Sequence, residues 1–157
     1  MSLLFPYHQV KVRRPVIALG GRTVRPRALV RTTVIGPTGT DVIDCLLDTG
    51  ADDTVFPDAF ASRLGLDLSN APIGEVVGVA STPVPIRYAQ ITLRLTDGRE
   101  FYEWPAWVGF TAAPLRQPLL GFAGCLQFFD ANFRGDREEV ELVTNSLYLG
   151  RSGLLTP

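Results

Sequence analysis

The chain has 157 residues, of which 46% are hydrophobic and 20% are charged, a balance that is typical of one soluble globular domain and excludes disordered or fibrous proteins. No apolar run approaches the roughly 20 residues that a membrane-spanning helix needs, so no membrane partner is expected. The opening Met-Ser-Leu-Leu-Phe is too short, and lacks the basic start, to predict a secretory signal.

The net charge of −1 conceals an uneven distribution along the chain. The first 40 residues contain seven basic residues and no acidic one, which are Lys11, Arg13, Arg14, Arg22, Arg25, Arg27 and Arg31. Such a segment can bind an anionic surface, but it has neither a recognition helix nor aromatic residues interleaved with the basic ones, so nucleic acid is not expected as a partner. We predict a solvated arm, or one that pairs with the acidic stretch Asp136, Glu138, Glu139 and Glu141.

Short β-branched and apolar runs, separated by frequent glycine and proline, predict an all-β fold. The predicted strands span residues 28–35, 42–47, 91–96, 101–108, 128–133 and 139–143. Residues 91–96 alternate apolar and polar side chains, as a half-buried strand does, and Asp97-Gly98 then predicts a tight hairpin turn.

Only two short stretches are predicted to be helical. The first ends at Leu64, with Asp58 as its N-cap and Gly65 as its stop, and the second runs from about Phe122 to Leu126. We expect three parts in the chain: a basic N-terminal extension (1–25), a compact domain (26–144) and a C-terminal tail (145–157).

The two cysteines, Cys45 and Cys125, are too few for a disulfide framework, so a reducing cytoplasm is the predicted location. Because His8 is the only histidine, we predict no metal site and no histidine-based catalysis. Both cysteines are predicted to be small buried side chains, and Trp104 and Trp107 are predicted to pack within strands.

The residues that can carry chemistry lie in the string from Cys45 to Val55, which reads CLLDTGADDTV. Here an apolar strand delivers Asp48 to a Thr-Gly turn. Gly50 lets the backbone approach a carboxylate or ligand closely, and the Thr49 hydroxyl can hold the turn through a backbone hydrogen bond. A three-residue Asp-Thr-Gly match alone could be a plain turn, so the surrounding residues decide its meaning.

This string resembles the active-site sequence of the retropepsins, the retroviral-type aspartic proteases. Two later elements resemble that family in the expected order: residues 72–91 resemble the flap hairpin, and Leu119-Leu120-Gly121 resembles the apolar-apolar-Gly element behind the catalytic loop. The resemblance covers roughly residues 26–143. It implies a retropepsin-like closed barrel with a flap hairpin and one or two short helices.

The resemblance also implies a homodimeric aspartic endopeptidase, because the chain carries one Asp-Thr-Gly and the family's mechanism needs two opposed carboxylates. It assigns Asp48, Thr49 and Gly50 to catalysis of peptide-bond hydrolysis without any cofactor. It also assigns a polypeptide substrate to a set of binding residues, which are Ala51, Asp52, Asp53, Gly78, Val79, Ala80 and Leu120. Asp52 and Asp53 could instead solvate or cap the turn.

The sequence departs from the retroviral pattern beside this site. Phe122 stands where the family usually has an arginine that pairs with the carboxylate equivalent to Asp52. We predict that Arg13 or Arg14 takes over this pairing. Pro83 and Pro85 predict a stiffer flap, since proline fixes φ and removes a backbone donor.

Three other readings stay open: a catalytically silent dimer that binds peptides, a dimeriser for a nucleic-acid-binding arm, and a purely structural barrel. The intact Asp48-Thr49-Gly50 speaks against a silent site, because folding alone does not require a carboxylate at the end of an apolar strand.

Overall fold

A computed structural model describes residues 1–77 and 82–155 of the chain. The described part contains thirteen strands, one α-helix, α1 (Ala59–Leu64), and two 3₁₀ helices, at Ile17–Leu19 and Leu126–Phe128. The strands are β1 (Leu3–Pro6), β2 (His8–Val16), β3 (Arg22–Arg27), β4 (Leu29–Ile35), β5 (Thr40–Leu47), β6 (Val55–Pro57), β7 (Ile73–Val77), β8 (Pro83–Thr96), β9 (Glu100–Thr111), β10 (Leu119–Leu120), β11 (Phe129–Arg134), β12 (Glu139–Thr144) and β13 (Arg151–Leu154).

The main sheet closes into a barrel, as predicted. Its strand order is β13-β9-β6-β10-β5-β4-β8-β7, and an additional pairing of β8 with β9 joins the sheet to itself. Residues 92–95 of β8 therefore pair with β4 on one side and with β9 on the other. Closure removes most open sheet edges and encloses the core between the strands.

The alternation in residues 91–96 has the predicted result. Ile91, Leu93 and Leu95 are buried in the core, while Arg94 points to the other face and pairs with Glu103 of β9. Asp97-Gly98 forms the turn between β8 and β9, with Gly98 at a φ of 89°. Both cysteines are free and fully buried.

The N-terminal segment contributes to the core as well as to the surface. Strand β1 pairs with β12, and its Leu3 and Phe5 are buried, so the first six residues belong to the packed unit. Strands β2 and β3 then form a separate two-stranded ribbon. Arg22 of this ribbon pairs with Glu138, which fits the predicted contact between the basic arm and the acidic stretch.

The first predicted helix is confirmed, with Asp58 at its N-cap position and Gly65 after its end, but Asp58 does not cap it with its side chain. Gly65 ends α1 in the left-handed region with a φ of 76°, whereas Asp58 has a helical backbone and makes no side-chain capping hydrogen bond. The backbone N–H of Asp58 instead donates to the Thr111 carbonyl at 2.8 Å.

The second predicted helix, from about Phe122 to Leu126, is also wrong. This segment is a turn followed by a 3₁₀ helix at Leu126–Phe128. The first two backbone N–H groups of the segment donate to residues outside it. The N–H of Phe122 donates to the Ala51 carbonyl, and that of Ala123 donates to the Asp52 carbonyl. Gly124, at a φ of 88°, then reverses the chain.

The two tryptophans differ in their surroundings. Trp104 is buried, and its indole N–H donates to the Gly124 carbonyl at 2.9 Å. Trp107 was predicted to pack within a strand but is 55% exposed, because it lies on the outer face of β9. Within residues 1–77 and 82–155, no helix is long and apolar enough to cross a membrane.

Candidate active site

Asp48 stands at the end of a strand whose position is fixed on both sides. The two preceding residues, Leu46 and Leu47, donate backbone hydrogen bonds to the carbonyls of Pro118 and Ala28, both at 2.9 Å. Strand β10 runs parallel to β5 and pairs Leu119 with Leu46. The direction in which Asp48 leaves the barrel is therefore set by the sheet itself.

The Asp48 carboxylate is half-buried and incompletely paired within one chain. Its Oδ1 accepts a hydrogen bond from the Gly50 N–H at 3.0 Å, and its own N–H donates to the Leu120 carbonyl at 3.1 Å. The other oxygen, Oδ2, accepts no hydrogen bond from the described residues. An ionised carboxylate can accept about four hydrogen bonds, so most of this capacity remains for other partners.

The loop after Asp48 rests on the segment that follows β10. The N–H groups of Phe122 and Ala123 donate to the carbonyls of Ala51 and Asp52 at 2.9 and 2.8 Å. A Cβ added at Gly121 would lie 2.2 Å from the Asp53 carbonyl oxygen, so only glycine permits this approach. The apolar-apolar-Gly element thus supports the loop from behind, as the resemblance implied.

Thr49 and Gly50 are exposed in the single chain, and Ala51 is half-buried. Leu120 is completely buried in the barrel core. The predicted contact of Leu120 with substrate stays a prediction. Gly78, Val79 and Ala80 lie outside the described residues, and so does Ser81.

The predicted ion pair of Asp52 with Arg13 or Arg14 is wrong within one chain. Asp52 is exposed, and no ion pair in the described part of the chain includes it. Arg13 and Arg14 lie in β2, where the strand register shifts between Lys11 and Val16, and both side chains face solvent. The sequence pattern could not anticipate that this segment folds into a ribbon of its own.

Asp53 has a specific partner that the sequence did not indicate. The Tyr88 hydroxyl of β8 donates to Asp53 Oδ1 at 3.0 Å. Burial and this hydrogen bond raise the pKa of Tyr88 above its usual range, so the phenol stays protonated and remains a donor. A Cβ on Gly74 would lie 2.6 Å from the Tyr88 ring, which shows that the ring packs on the backbone of β7.

This contact connects the loop to the hairpin of β7 and β8. The hairpin pairs Ile73 with Arg87 and Val77 with Pro83, and β7 is an edge strand of the sheet. Pro83 and Pro85 lie in this hairpin opposite the edge strand, where the loss of a backbone donor costs little. A cleft of about 510 Å³ beside the hairpin has walls that include Ile73, Val84 and Ile86 but no residue of 48–53.

The described residues offer little to a metal ion or a covalent mechanism. No group of three or more histidine, cysteine or acidic side chains in 1–77 and 82–155 could hold a metal ion. Burial raises the pKa of the Cys45 thiol to about 12, and burial also raises the pKa of Cys125. Both thiols are therefore protonated at neutral pH and are poor nucleophiles.

Comparisons with known proteins agree with this geometry. Residues 30–123 match the model of a family described as aspartyl proteases, which covers more than half of the chain. The chain therefore belongs to the aspartyl protease family.

The retropepsin-like character of the fold is supported by a solved structure, that of a retropepsin-like aspartic protease from Rickettsia conorii. The two chains share 20% sequence identity with a TM-score of 0.54, over 99% of this chain and 94% of the other. No curated protein matches the sequence significantly. The resemblance stated from the sequence is confirmed.

Proposed function

We propose that the protein is a homodimeric aspartic endopeptidase in which two copies of Asp48 form one active site. The observation that carries the proposal is the incompletely paired Asp48 carboxylate at the end of β5, which accepts a hydrogen bond from the Gly50 N–H while the Asp48 backbone N–H donates to the Leu120 carbonyl. Each chain supplies one such carboxylate, and an aspartic protease uses two. A second copy related by a twofold axis supplies the other.

The two carboxylates would share one proton, as is known for aspartic-protease dyads, because two like charges about 3 Å apart cannot both be ionised. The ionised Asp48 accepts a proton from a water molecule, whose oxygen attacks the carbonyl carbon of the peptide. The protonated Asp48 donates to the carbonyl oxygen as negative charge develops there. Return of a proton to the amide nitrogen allows the carbon–nitrogen bond to break. No cofactor takes part.

The exposed position of Thr49 supports the role that the family resemblance implies for it, a contact across the dimer axis. Gly50 and Ala51 would contact the substrate backbone, with Asp52 and Asp53 in the outer subsites. The hairpin of β7 and β8 would act as the flap, and Gly78, Val79 and Ala80 are proposed as substrate-binding residues from the family resemblance alone. Leu120 would position the loop that carries Asp48. It would contact the substrate only at the edge of the substrate groove.

We also propose that residues 26–144 form the protease domain, between an extension at 1–25 and a tail at 145–157. Strand β1 packs against β12, and β13 pairs with β9, so both flanking segments stabilise this domain. We expect a truncation that removes residues 1–6 to destabilise the protein, because it exposes the apolar surface that Leu3 and Phe5 cover.

The test is digestion of a diverse peptide mixture from acidic to neutral pH by wild type and by Asp48→Asn. We expect wild type to generate new fragments and Asp48→Asn to lower their rate of formation by about 10³-fold. Asp58→Asn, an exposed aspartate near α1, is the matched control and should cleave like wild type. Fragments that form equally with Asp48→Asn would contradict the proposal, and so would wild type that forms none.

Sedimentation of the wild type tests the second half of the proposal. We expect a dimer at the concentrations at which cleavage is observed. A protein that remains monomeric while it cleaves would contradict the shared site.

A further inference from the structure

A second cleft lies beside the strand that carries Asp48. Its volume is about 780 Å³, and it separates the β2–β3 ribbon from the barrel. Val12 and Val16 of the ribbon and Leu46 and Leu47 of β5 contribute apolar walls. Leu47 is the residue immediately before Asp48, so the wall of the cleft ends one residue along the chain from the residue that carries the proposed catalytic carboxylate.

Three arginines line this cleft without an acidic partner. They are Arg25 and Arg27 from β3 and Arg116 from the segment before β10, and we refer to them as the arginine cluster. Among residues 1–77 and 82–155, none of the three forms an ion pair or donates a side-chain hydrogen bond, whereas Arg22, Arg31 and others pair with acids. Positive charges left together in a cleft repel one another unless an anion joins them.

The backbone places the arginine cluster at the proposed active site. Arg27 precedes Ala28, whose carbonyl accepts the Leu47 N–H at 2.9 Å, and Arg116 lies two residues before Pro118, whose carbonyl accepts the Leu46 N–H at 2.9 Å. Both arginines therefore belong to segments that hydrogen-bond to the last two residues of β5, immediately before Asp48.

The electrostatics agree with this placement. Burial lowers the pKa of half-buried Arg27, the charges of Arg116 and Arg25 lower it further, and Asp48 acts in the opposite direction. Asp48 is thus the one acidic group whose charge opposes this shift at Arg27. In the proposed dimer two Asp48 residues share one proton, so each copy neutralises only part of the charge of its cluster.

We infer that the arginine cluster is a substrate subsite, which selects peptides that carry an aspartate or glutamate side chain close to the scissile bond. This inference rests on the proposed endopeptidase function and specifies its substrate class. A guanidinium binds a carboxylate through paired, charge-assisted hydrogen bonds, and the apolar walls accept the methylene groups of the acidic side chain. The entering carboxylate would relieve the repulsion within the cluster.

A different source of the carboxylate is an acidic residue of a second copy of this chain. The observations favour the substrate, because the cleft has room for a whole side chain between the ribbon and β5. The two sources make different predictions. If the acid comes from a second copy, substitution of the arginines should weaken the dimer and should not change the preference for charged peptides.

The experiment begins with a neutral peptide that the wild-type protein cleaves. Each residue on either side of its scissile bond is replaced in turn by Glu or by Gln, which differ in charge but hardly in shape. For at least one position we expect kcat/KM to be about tenfold higher for the Glu peptide than for the Gln peptide. Salt should reduce this ratio, because it screens partly exposed charges.

Arg27→Gln and Arg116→Gln should each lower the Glu/Gln ratio, and Arg116→Lys should retain part of it because the positive charge remains. Arg99→Gln is the matched control: it removes one arginine charge from the turn between β8 and β9, where Arg99 pairs with Asp97. This control should leave the ratio unchanged.

The inference is overturned if wild type cleaves the Glu and Gln peptides equally, or if Arg27→Gln and Arg116→Gln leave the ratio unchanged. It is also overturned if these variants dissociate the dimer in sedimentation while wild type shows no charge preference. In each of these cases cleavage of the neutral peptide still supports the proposed function. If wild type cleaves no peptide at all, it is the proposed function that fails.

Discussion

Two turns of this protein each place an aspartate at the end of a strand, and they use it differently. In the turn between β8 and β9, the Asp97 carboxylate accepts hydrogen bonds from the N–H groups of Arg99 and Glu100 and from the Arg99 side chain, and its side chain is only 3% exposed. In the loop after β5, the Asp48 carboxylate accepts one hydrogen bond from the described residues, that of the Gly50 N–H.

The difference separates a structural carboxylate from a functional one. The hydrogen-bonding capacity of Asp97 is largely used within the fold, so its loss should affect stability. Asp48 keeps capacity for a water molecule, a substrate or the carboxylate of a second copy, so its loss should affect activity. The variants below are chosen to test this contrast between the two turns.

The largest effect on stability is expected for Gly121→Ala, which changes the support of the loop after Asp48. Gly121→Ala places a Cβ 2.2 Å from the Asp53 carbonyl oxygen, which the loop cannot accommodate without moving. We expect it to lower the free energy of unfolding by about 3 kcal/mol and to abolish cleavage.

Gly98→Ala, its counterpart in the other turn, meets open space but must adopt a φ of 89°. It should cost about 1 kcal/mol, from backbone strain alone. Urea titration of both variants measures which one loses more stability. A Gly121→Ala protein as stable as Gly98→Ala would show that the loop does not depend on the close approach of Gly121 to the Asp53 carbonyl.

Alanine substitution of the two aspartates should have unequal effects on stability. Asp97→Ala leaves the N–H groups of Arg99 and Glu100 without their acceptor and should lower the free energy of unfolding by about 2 kcal/mol. Asp48→Ala should change it by less than about 0.5 kcal/mol. Equal losses in thermal unfolding would remove the distinction between the two turns.

The contribution of Asp97 to the free energy of unfolding should depend on pH. Burial opposes the charged form of Asp97, but hydrogen bonds from Glu100 and Arg99 outweigh it and hold the pKa below the ordinary value of 3.8. A depressed carboxyl pKa stabilises the fold above the unfolded pKa, and this stabilisation is lost as the pH falls through the folded pKa.

The difference in unfolding free energy between wild type and Asp97→Asn should therefore be constant near neutral pH and should shrink below about pH 3.8. Denaturant titrations at several pH values measure it. A difference that grows with acidity would mean that the hydrogen bonds do not favour the ionised form.

A smaller effect than that of Gly121→Ala or Asp97→Ala is expected for Tyr88→Phe, which removes the hydroxyl that donates to Asp53 but keeps the ring packed on Gly74. We expect a loss of about 1 kcal/mol in stability. We also expect kcat/KM to fall a few-fold, because the loop is no longer joined to the hairpin. Tyr102→Phe is the matched control, since it removes a hydroxyl that donates to the Met1 carbonyl at 2.8 Å and not to the loop, so it should leave kcat/KM unchanged. Peptide cleavage that is unchanged in Tyr88→Phe would contradict this role.

The sequence predicted the parts of the fold that follow from local patterns. Alternation identified Ile91, Leu93 and Leu95 as core residues, and the string around Asp48 identified the loop and its family. It did not predict the segment after Gly121, because its first backbone N–H groups bind the distant carbonyls of Ala51 and Asp52 and Gly124 takes a positive φ that ends any helix. A pattern within one segment carries no information about such distant partners.

The same limit applies around the candidate site. Tyr88 and Asp53 are 35 residues apart, and Arg116 meets Arg27 only when the ribbon folds beside the barrel. The absence of acids from the first 40 residues was a visible signal for a charged surface. Which of its arginines remain without an acidic partner depends on the tertiary structure, as the pairing of Arg22 with Glu138 illustrates.

The most direct test of the central proposal, that two chains share one active site, is a mixing experiment. Wild type and Asp48→Asn are refolded together in different proportions at a constant total concentration, and peptide cleavage is measured. If both Asp48 carboxylates are needed, activity follows the square of the wild-type fraction, so an equal mixture has about one quarter of the wild-type rate. A linear dependence, with about one half of the rate at equal mixing, would contradict the account because each chain would then act alone.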